Sequence, residues 1–124
     1  MKIHKVICEK DIIKILIGAE LSDDNLPKGN MELDIENQSQ FVEEINDLFV
    51  EEHIRVILDM RYINYIDSSG LWALFEGYKT ASQKKGKLVL LNPTQDVKRV
   101  LDITKMSSKI QIFESEEEAL EALQ

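Results

Sequence analysis

The feature that most constrains the fold is an alternation of short apolar segments with amphipathic ones along most of the chain. The segments "RVILDM" (55–60) and "KLVLLN" (87–92) are apolar runs of strand length, a pattern typical of strands buried on both faces of a sheet. A segment with helical periodicity follows each run. Because strand–helix–strand units place their strands in parallel, the sequence predicts an α/β protein with helices packed on a sheet.

Four segments have the periodicity or the capping residues of helices: 40–52, the helix that starts at 66–70 and ends at "KKG" (84–86), 92–106 and 115–124. In the third helix we expect Asn92 to cap, Pro93 to occupy the first position and Gln95 to complete a capping box. In the fourth we expect Ser115 to cap. The residues that share one face are Phe41, Ile45, Leu48 and Phe49 in the first helix, Leu71, Leu74, Phe75 and Tyr78 in the second, and Val97, Val100, Leu101 and Thr104 in the third.

The remaining segments are predicted strands and turns. Strands are expected at 4–9 and 12–19, joined by a tight turn at 10–11, and a final strand at 109–114. Residues 22–30 collect turn formers, and 31–36 is either an extra strand or an extended approach to the next helix. The fold class is therefore a small α/β sandwich within one domain, residues 1–124, with a mixed sheet of four to five strands covered by about four helices.

Composition narrows the kinds of partner. The chain has 124 residues and a formal charge of -8, which argues against binding to nucleic acid or to an anionic membrane surface. The apolar runs are too short to span a membrane. Cys8 is the sole cysteine, so an intrachain disulfide is impossible and a reducing cytoplasm fits best. We expect a cytoplasmic domain whose partner is another protein.

The sequence "IDSSG" (66–70) lies where a strand gives way to a helix, and it allows several readings. A helix cap is the simplest. A nucleophilic serine is disfavoured because the histidines His4 and His53 are isolated and the serine elbow motif is missing. A phosphate cradle is disfavoured by a single glycine beside the acid Asp67. In the remaining reading Ser68 is phosphorylated, which adds a charge of roughly -1.5 to -2 and switches binding rather than folding.

A second candidate phosphorylation site is Asp59. "VILDM" resembles the phosphoaspartate strand of a response-regulator receiver, but a receiver needs an acidic pair after its first strand to hold magnesium. Here Asp23 and Asp24 follow two strands. We expect no cofactor, and because His4 and His53 are isolated we also expect no metal site.

The chain contains the motif "DSSG" and the later stretch "GKLVLLNPTQDVKRVLDITKM", and it ends in a strand followed by an acidic helix. Through these features the chain resembles the STAS domain of bacterial anti-sigma factor antagonists. The resemblance runs from Phe41 to the end and extends to the first two strands. It implies that Ser68 is phosphorylated by a partner serine kinase that is also the anti-sigma factor. The unphosphorylated form would bind this kinase and free a sigma factor, and a phosphatase would reset the cycle. ATP and magnesium would belong to the kinase, and the domain would not be an enzyme.

The resemblance also implies a docking surface on the helix that begins at the motif. Its residues are Asp67, Ser69, Gly70, Leu71 and Trp72. We expect Ser69 to cap the helix and Gly70 to allow close approach of a partner backbone. Trp72 is a departure because the family has a small residue there, and its side chain is either an interface anchor or packed against a neighbouring segment.

A second departure concerns the acidic segment that contacts the kinase in this family. Two stretches compete for that match: "GAELS" (18–22), where Ser22 replaces the acid, and "MELDIENQSQF" (31–41), which retains Asp34. The second reaches the following helix at the familiar spacing, so we expect Asp34 to contact the partner.

The alternative within the same fold is a STAS subunit that is never phosphorylated and belongs to a larger lipid-transport or stress-signalling complex.

Overall fold

The computed structural model describes residues 3–9, 11–17, 20–21, 27–28, 31–33 and 38–124. The strands are β1 (Ile3–Glu9), β2 (Ile12–Ile17), β3 (Glu20–Leu21), β4 (Pro27–Lys28), β5 (Met31–Leu33), β6 (Arg55–Asp59), β7 (Ile63–Ile66), β8 (Lys87–Leu91) and β9 (Ile112–Phe113). The helices are α1 (Gln38–Leu48), α2 (Ser68–Gln83), α3 (Gln95–Ile103) and α4 (Glu116–Leu123), and Met106–Ser108 forms a short 3-10 turn.

Five strands form the main sheet in the order β1-β2-β6-β8-β9. Strands β1 and β2 pair antiparallel, and the turn between them includes Asp11 in the left-handed region, with φ 66°. Every other pair in this sheet is parallel, because each of those connections contains a helix. The predicted mixed sheet is confirmed.

The main sheet is covered on both faces, which confirms the interpretation of the two continuous apolar runs. Alternate side chains of β6 and β8 enter different cores. The larger core includes Val56, Leu58, Leu88 and Leu90, and the smaller includes Ile57, Val89 and Leu91 with Ala119 and Leu123 of α4. Helices α1, α2 and α3 cover the larger core, and α4 covers the smaller one, where the half-buried Cys8 also packs.

Helix α2 approaches the core more closely than its apolar pattern predicts. Of the predicted stripe only Leu74 is fully buried, and the other buried positions are the small residues Gly70, Ala73, Gly77 and Ala81. A Cβ atom on Gly77 would lie 3.1 Å from Cγ2 of Ile45. The small side chains therefore let the backbone of α2 lie directly against α1 and the sheet. Within the part of the chain that the structure describes, no helix has both the length and the apolar character needed to cross a bilayer.

The described residues also form two small sheets of two strands each. β3 and β4 pair antiparallel, and β5 pairs in parallel with β7. The expectation of a strand at 31–36 is therefore confirmed for Met31–Leu33, whereas β7 was not predicted. Its sequence "INYI" buries Ile63 and Ile66 and exposes the two residues between them, so it lacks the period of two that reveals a half-buried strand.

The start of α3 was predicted wrongly. The backbone of Asn92 is left-handed, with φ 51°, so Asn92 and Pro93 lie outside the helix and Gln95 is its first residue. The cap is Thr94, whose side chain accepts a hydrogen bond from the Val97 amide at 3.3 Å. The corresponding prediction for α4 is confirmed, because Ser115 accepts from the amide of Glu118 at 3.2 Å.

The final strand is shorter than the predicted 109–114. Lys109 and Ile110 close the preceding 3-10 turn through amide hydrogen bonds to the carbonyl of Met106, at 2.9 and 3.0 Å. Only Ile112–Phe113 is left to pair with β8.

The packing of α1 on the sheet gives a stability prediction. Phe41 is completely buried in the larger core, so Phe41→Ala is expected to lower the free energy of unfolding by roughly 3–5 kcal/mol. Val50→Ala is the control, since Val50 is 71% exposed and its truncation should change that free energy by about 0.5 kcal/mol or less. Denaturant unfolding measures both, and equal effects of the two variants would contradict this placement of α1.

Candidate functional site

The "DSSG" motif forms the junction between β7 and α2. Asp67 has extended backbone angles (φ -106°, ψ -172°), and α2 begins at Ser68. The Asp67 carboxylate accepts a hydrogen bond from the Gly70 amide at 3.0 Å, and its carbonyl accepts from the Leu71 amide at 2.9 Å. Asp67 is therefore the cap, and the expectation that Ser69 caps is wrong, because Ser69 is already the second residue of the helix.

Gly70 anchors the start of α2 to strand β5. The glycine is buried, and a Cβ atom there would lie only 2.3 Å from the carbonyl oxygen of Leu33 and 2.6 Å from Cγ1 of Ile66. The Asp67 amide donates to the same Leu33 oxygen at 3.3 Å. The close approach that requires glycine is therefore made by this chain's own backbone, which corrects the expectation that Gly70 admits the backbone of a partner.

Ser68 is the exposed residue of the motif. Asp67 and Ser69 are half-buried, and Leu71 is half-buried against the larger core. The Ser68 side chain thus projects from the first turn of a 16-residue helix. Amides at a helix N-terminus favour negative charge, while the neighbouring carboxylate of Asp67 opposes it. A phosphoryl group on Ser68 would meet both effects.

Trp72 lies one helical turn beyond Ser68 and is 50% exposed. Its ring borders a groove between α1 and α2 with a volume of about 430 Å³. The other lining residues are Ser39, Val42, Glu43, Asn46 and Asp47. A hydrogen bond of 3.0 Å from the Thr80 hydroxyl to the Asn46 side chain joins the two helices farther along. Trp72 therefore occupies the wall of an open groove.

Asp59, the alternative phosphoacceptor, is completely buried at the end of β6. One carboxylate oxygen accepts from the Arg61 amide at 3.1 Å and the other from the Arg61 guanidinium at 2.9 Å. This hydrogen bond raises the pKa of Arg61 above its ordinary value. The carboxylate is thus closed to solvent and already paired, which disfavours phosphorylation there.

The expected acidic contact, Asp34, lies outside the described residues, as does Ser22. The residue before Asp34 in the chain is Leu33, the residue that contacts Gly70. The sequence analysis did not predict that residues of α1 line the groove beside Trp72. The signal available for it was the pair of acids Glu43 and Asp47, one turn apart and away from the buried face of α1.

The comparison with known proteins identifies the family. The family model for the STAS domain matches residues 28–119. A candidate anti-sigma factor antagonist of Thermotoga neapolitana is 32% identical over 96 residues, which cover 77% of this chain and 85% of that protein. The chain belongs to the STAS domain family and is related there to proteins named as anti-sigma factor antagonists.

Solved structures share the fold. A candidate anti-sigma factor antagonist of Thermotoga maritima superposes with a TM-score of 0.76 at 23% identity, covering 98% of this chain and 93% of that one. The Bacillus cell fate determinant SpoIIAA, solved in its phosphorylated form, superposes with a TM-score of 0.65 at 17% identity, covering 99% and 100% of the two chains. The prediction of a STAS-type α/β fold is confirmed.

The capping geometry gives a second prediction. Asp67→Ala removes the acceptor for the Gly70 amide, so it is expected to lower the free energy of unfolding by about 1 kcal/mol. Ser69→Ala is the matched control and should change it by about 0.5 kcal/mol or less. Denaturant unfolding of both variants is the measurement. A larger loss for Ser69→Ala than for Asp67→Ala would restore Ser69 as the cap.

Proposed function

We propose that this protein is a cytoplasmic anti-sigma factor antagonist that acts by partner switching, with Ser68 as the phosphoacceptor. The observation that carries the proposal is the position of Ser68: an exposed hydroxyl on a helical turn fixed from beneath by the Asp67 cap and by the contact of Gly70 with Leu33. A kinase can reach the hydroxyl without unfolding the turn.

In the proposed cycle the unphosphorylated protein binds an anti-sigma factor that is also a serine kinase, and a sigma factor is released. Phosphorylation of Ser68 blocks this binding, and a phosphatase restores it. The kinase supplies ATP and magnesium, so this protein performs no catalysis. Support comes from the relationship to proteins named as anti-sigma factor antagonists and from the phosphorylated form in which SpoIIAA was solved.

The electrostatics of the turn support a switch of binding rather than of folding. A phosphoryl group adds roughly -1.5 to -2 charges at the N-terminus of α2, where the helix dipole stabilises an anion by about 0.3–1 kcal/mol. The carboxylate of Asp67 repels the same group. The two effects oppose each other within the fold, whereas a docked partner would have to accommodate the new charge and its volume.

Two alternative functions predict different results when the protein is incubated with a kinase. A STAS subunit of a larger complex would carry no phosphate. A receiver-like protein would be phosphorylated on Asp59, but the burial of Asp59 and its pairing with Arg61 speak against that.

The test is phosphorylation by ATP and the serine kinases of the native host. We expect a label that survives acid and hydroxylamine, is lost in Ser68→Ala and persists in Ser69→Ala and Asp59→Asn. Mass spectrometry then assigns the phosphate to Ser68. A label that persists in Ser68→Ala and disappears in Asp59→Asn would contradict the proposal. The absence of any label with these kinases would favour the alternative of a STAS subunit that is never phosphorylated.

A further inference from the structure

The excess negative charge of this protein is concentrated in one stretch of sequence. Of its 23 acidic residues, eight lie within residues 29–54, which contain no Lys or Arg. The other 15 acids are matched by all 15 basic residues of the chain. The formal charge of -8 therefore belongs to the segment that includes α1.

The structure places part of this charge beside Trp72. Glu43 and Asp47 are exposed on α1, one helical turn apart, and both line the groove between α1 and α2. Within the residues that the structure describes, neither side chain forms an ion pair. By contrast, Glu52 beyond the end of α1 lies 3.8 Å from Lys85. The groove therefore presents two exposed carboxylates and a half-exposed indole.

The groove also lies next to the phosphoacceptor. Helix α1 leads from β5 to β6 and α2 leads from β7 to β8, and both strand pairs are parallel. The two helices therefore run in the same direction, with their N-termini at the same end of the molecule. Because Trp72 is one turn from Ser68, a protein that docks at Ser68 meets the groove next.

We propose that this acidic groove, lined by Ser39, Val42, Glu43, Asn46, Asp47 and Trp72, docks a helix of the kinase partner that presents two Arg or Lys residues one turn apart. This inference rests on the proposed function. One cation stacks on the face of Trp72 and the other pairs with Glu43 and Asp47. Arg suits both roles, because its planar guanidinium stacks on aromatic rings and bonds carboxylates through two donors.

A cationic partner helix is compatible with a phosphate that blocks binding. The kinase has to hold its nucleotide with the phosphates close to Ser68, so a phosphoryl group on Ser68 is repelled by the negative charge of the bound nucleotide. The cationic helix lies a turn or more farther along, at the groove. The interface is thus divided between an anion-sensitive end at Ser68 and a cation-binding end at the groove.

The experiment uses Trp72 fluorescence, because Trp72 is the sole tryptophan of the chain. The probe is an amphipathic helical peptide of about 18 residues with Arg pairs at positions i and i+4, and its counterpart has Glu in place of Arg. The Arg peptide is expected to shift the emission, with an affinity that falls as salt is raised. Unchanged emission, or equal binding of the Glu peptide, would overturn the proposal.

Charge-reversed variants distinguish binding of the Arg peptide at the groove from a general attraction to the net negative charge of the protein. Glu43→Lys with Asp47→Lys is expected to weaken the Arg peptide about tenfold or more. The matched control is Glu117→Lys with Glu121→Lys, which makes the same change in charge on exposed positions of α4 and should alter the affinity by about twofold or less. Equal losses in the two pairs would show attraction to net charge alone and would contradict a specific groove.

The same variants distinguish failure of this inference from failure of the proposed function. With the kinase that labels Ser68, the α1 double variant (Glu43→Lys with Asp47→Lys) is expected to raise the KM for phosphorylation. The α4 double variant (Glu117→Lys with Glu121→Lys) is expected to leave that KM unchanged. Labelling of Ser68 with the same KM in both double variants would overturn the proposed docking at the groove and leave the phosphorylation switch intact. Specific binding of the Arg peptide without any labelling of Ser68 would overturn the switch alone.

Discussion

The contact between Gly70 and the carbonyl of Leu33 is the constraint on which the site depends. It brings the first turn of α2 against strand β5, and the Asp67 amide donates to the same oxygen. Any side chain at position 70 would collide with backbone, which cannot move aside as a flexible side chain can. The strand pair β5–β7 therefore fixes where α2 starts and how Ser68 is presented.

The same arrangement separates the parts of the motif by role. Asp67 and Gly70 hold the turn in place, while Ser68 is left exposed and makes no contribution to the cap. Beyond them, Trp72 and the acids of α1 offer an apolar surface and a negative field. In the proposed switch, a phosphoryl group on Ser68 alters what binds over α2 and the groove without loosening the residues that position it.

The sequence was sufficient for the fold class because residues 56–58 of β6 and 88–91 of β8 are continuously apolar, a pattern typical of strands covered on both faces. It was not sufficient for the site. "INYI" lacks strand alternation, so the β5–β7 pair could not be inferred, and without it the need for glycine at position 70 was assigned to a partner. The cap was misplaced by two residues, since Asp and Ser are nearly equal as caps and they are distinguished here by the backbone angles of Asp67 and by its hydrogen bond from the Gly70 amide.

The most direct test of the account compares the Ser68-phosphorylated and unmodified proteins in two measurements, affinity for the kinase and free energy of unfolding. Phosphorylation is expected to weaken binding about tenfold or more, or by about 1.4 kcal/mol, while the free energy of unfolding changes by about 0.5 kcal/mol or less. Unchanged affinity, or a loss of folding stability as large as the loss of binding free energy, would contradict it.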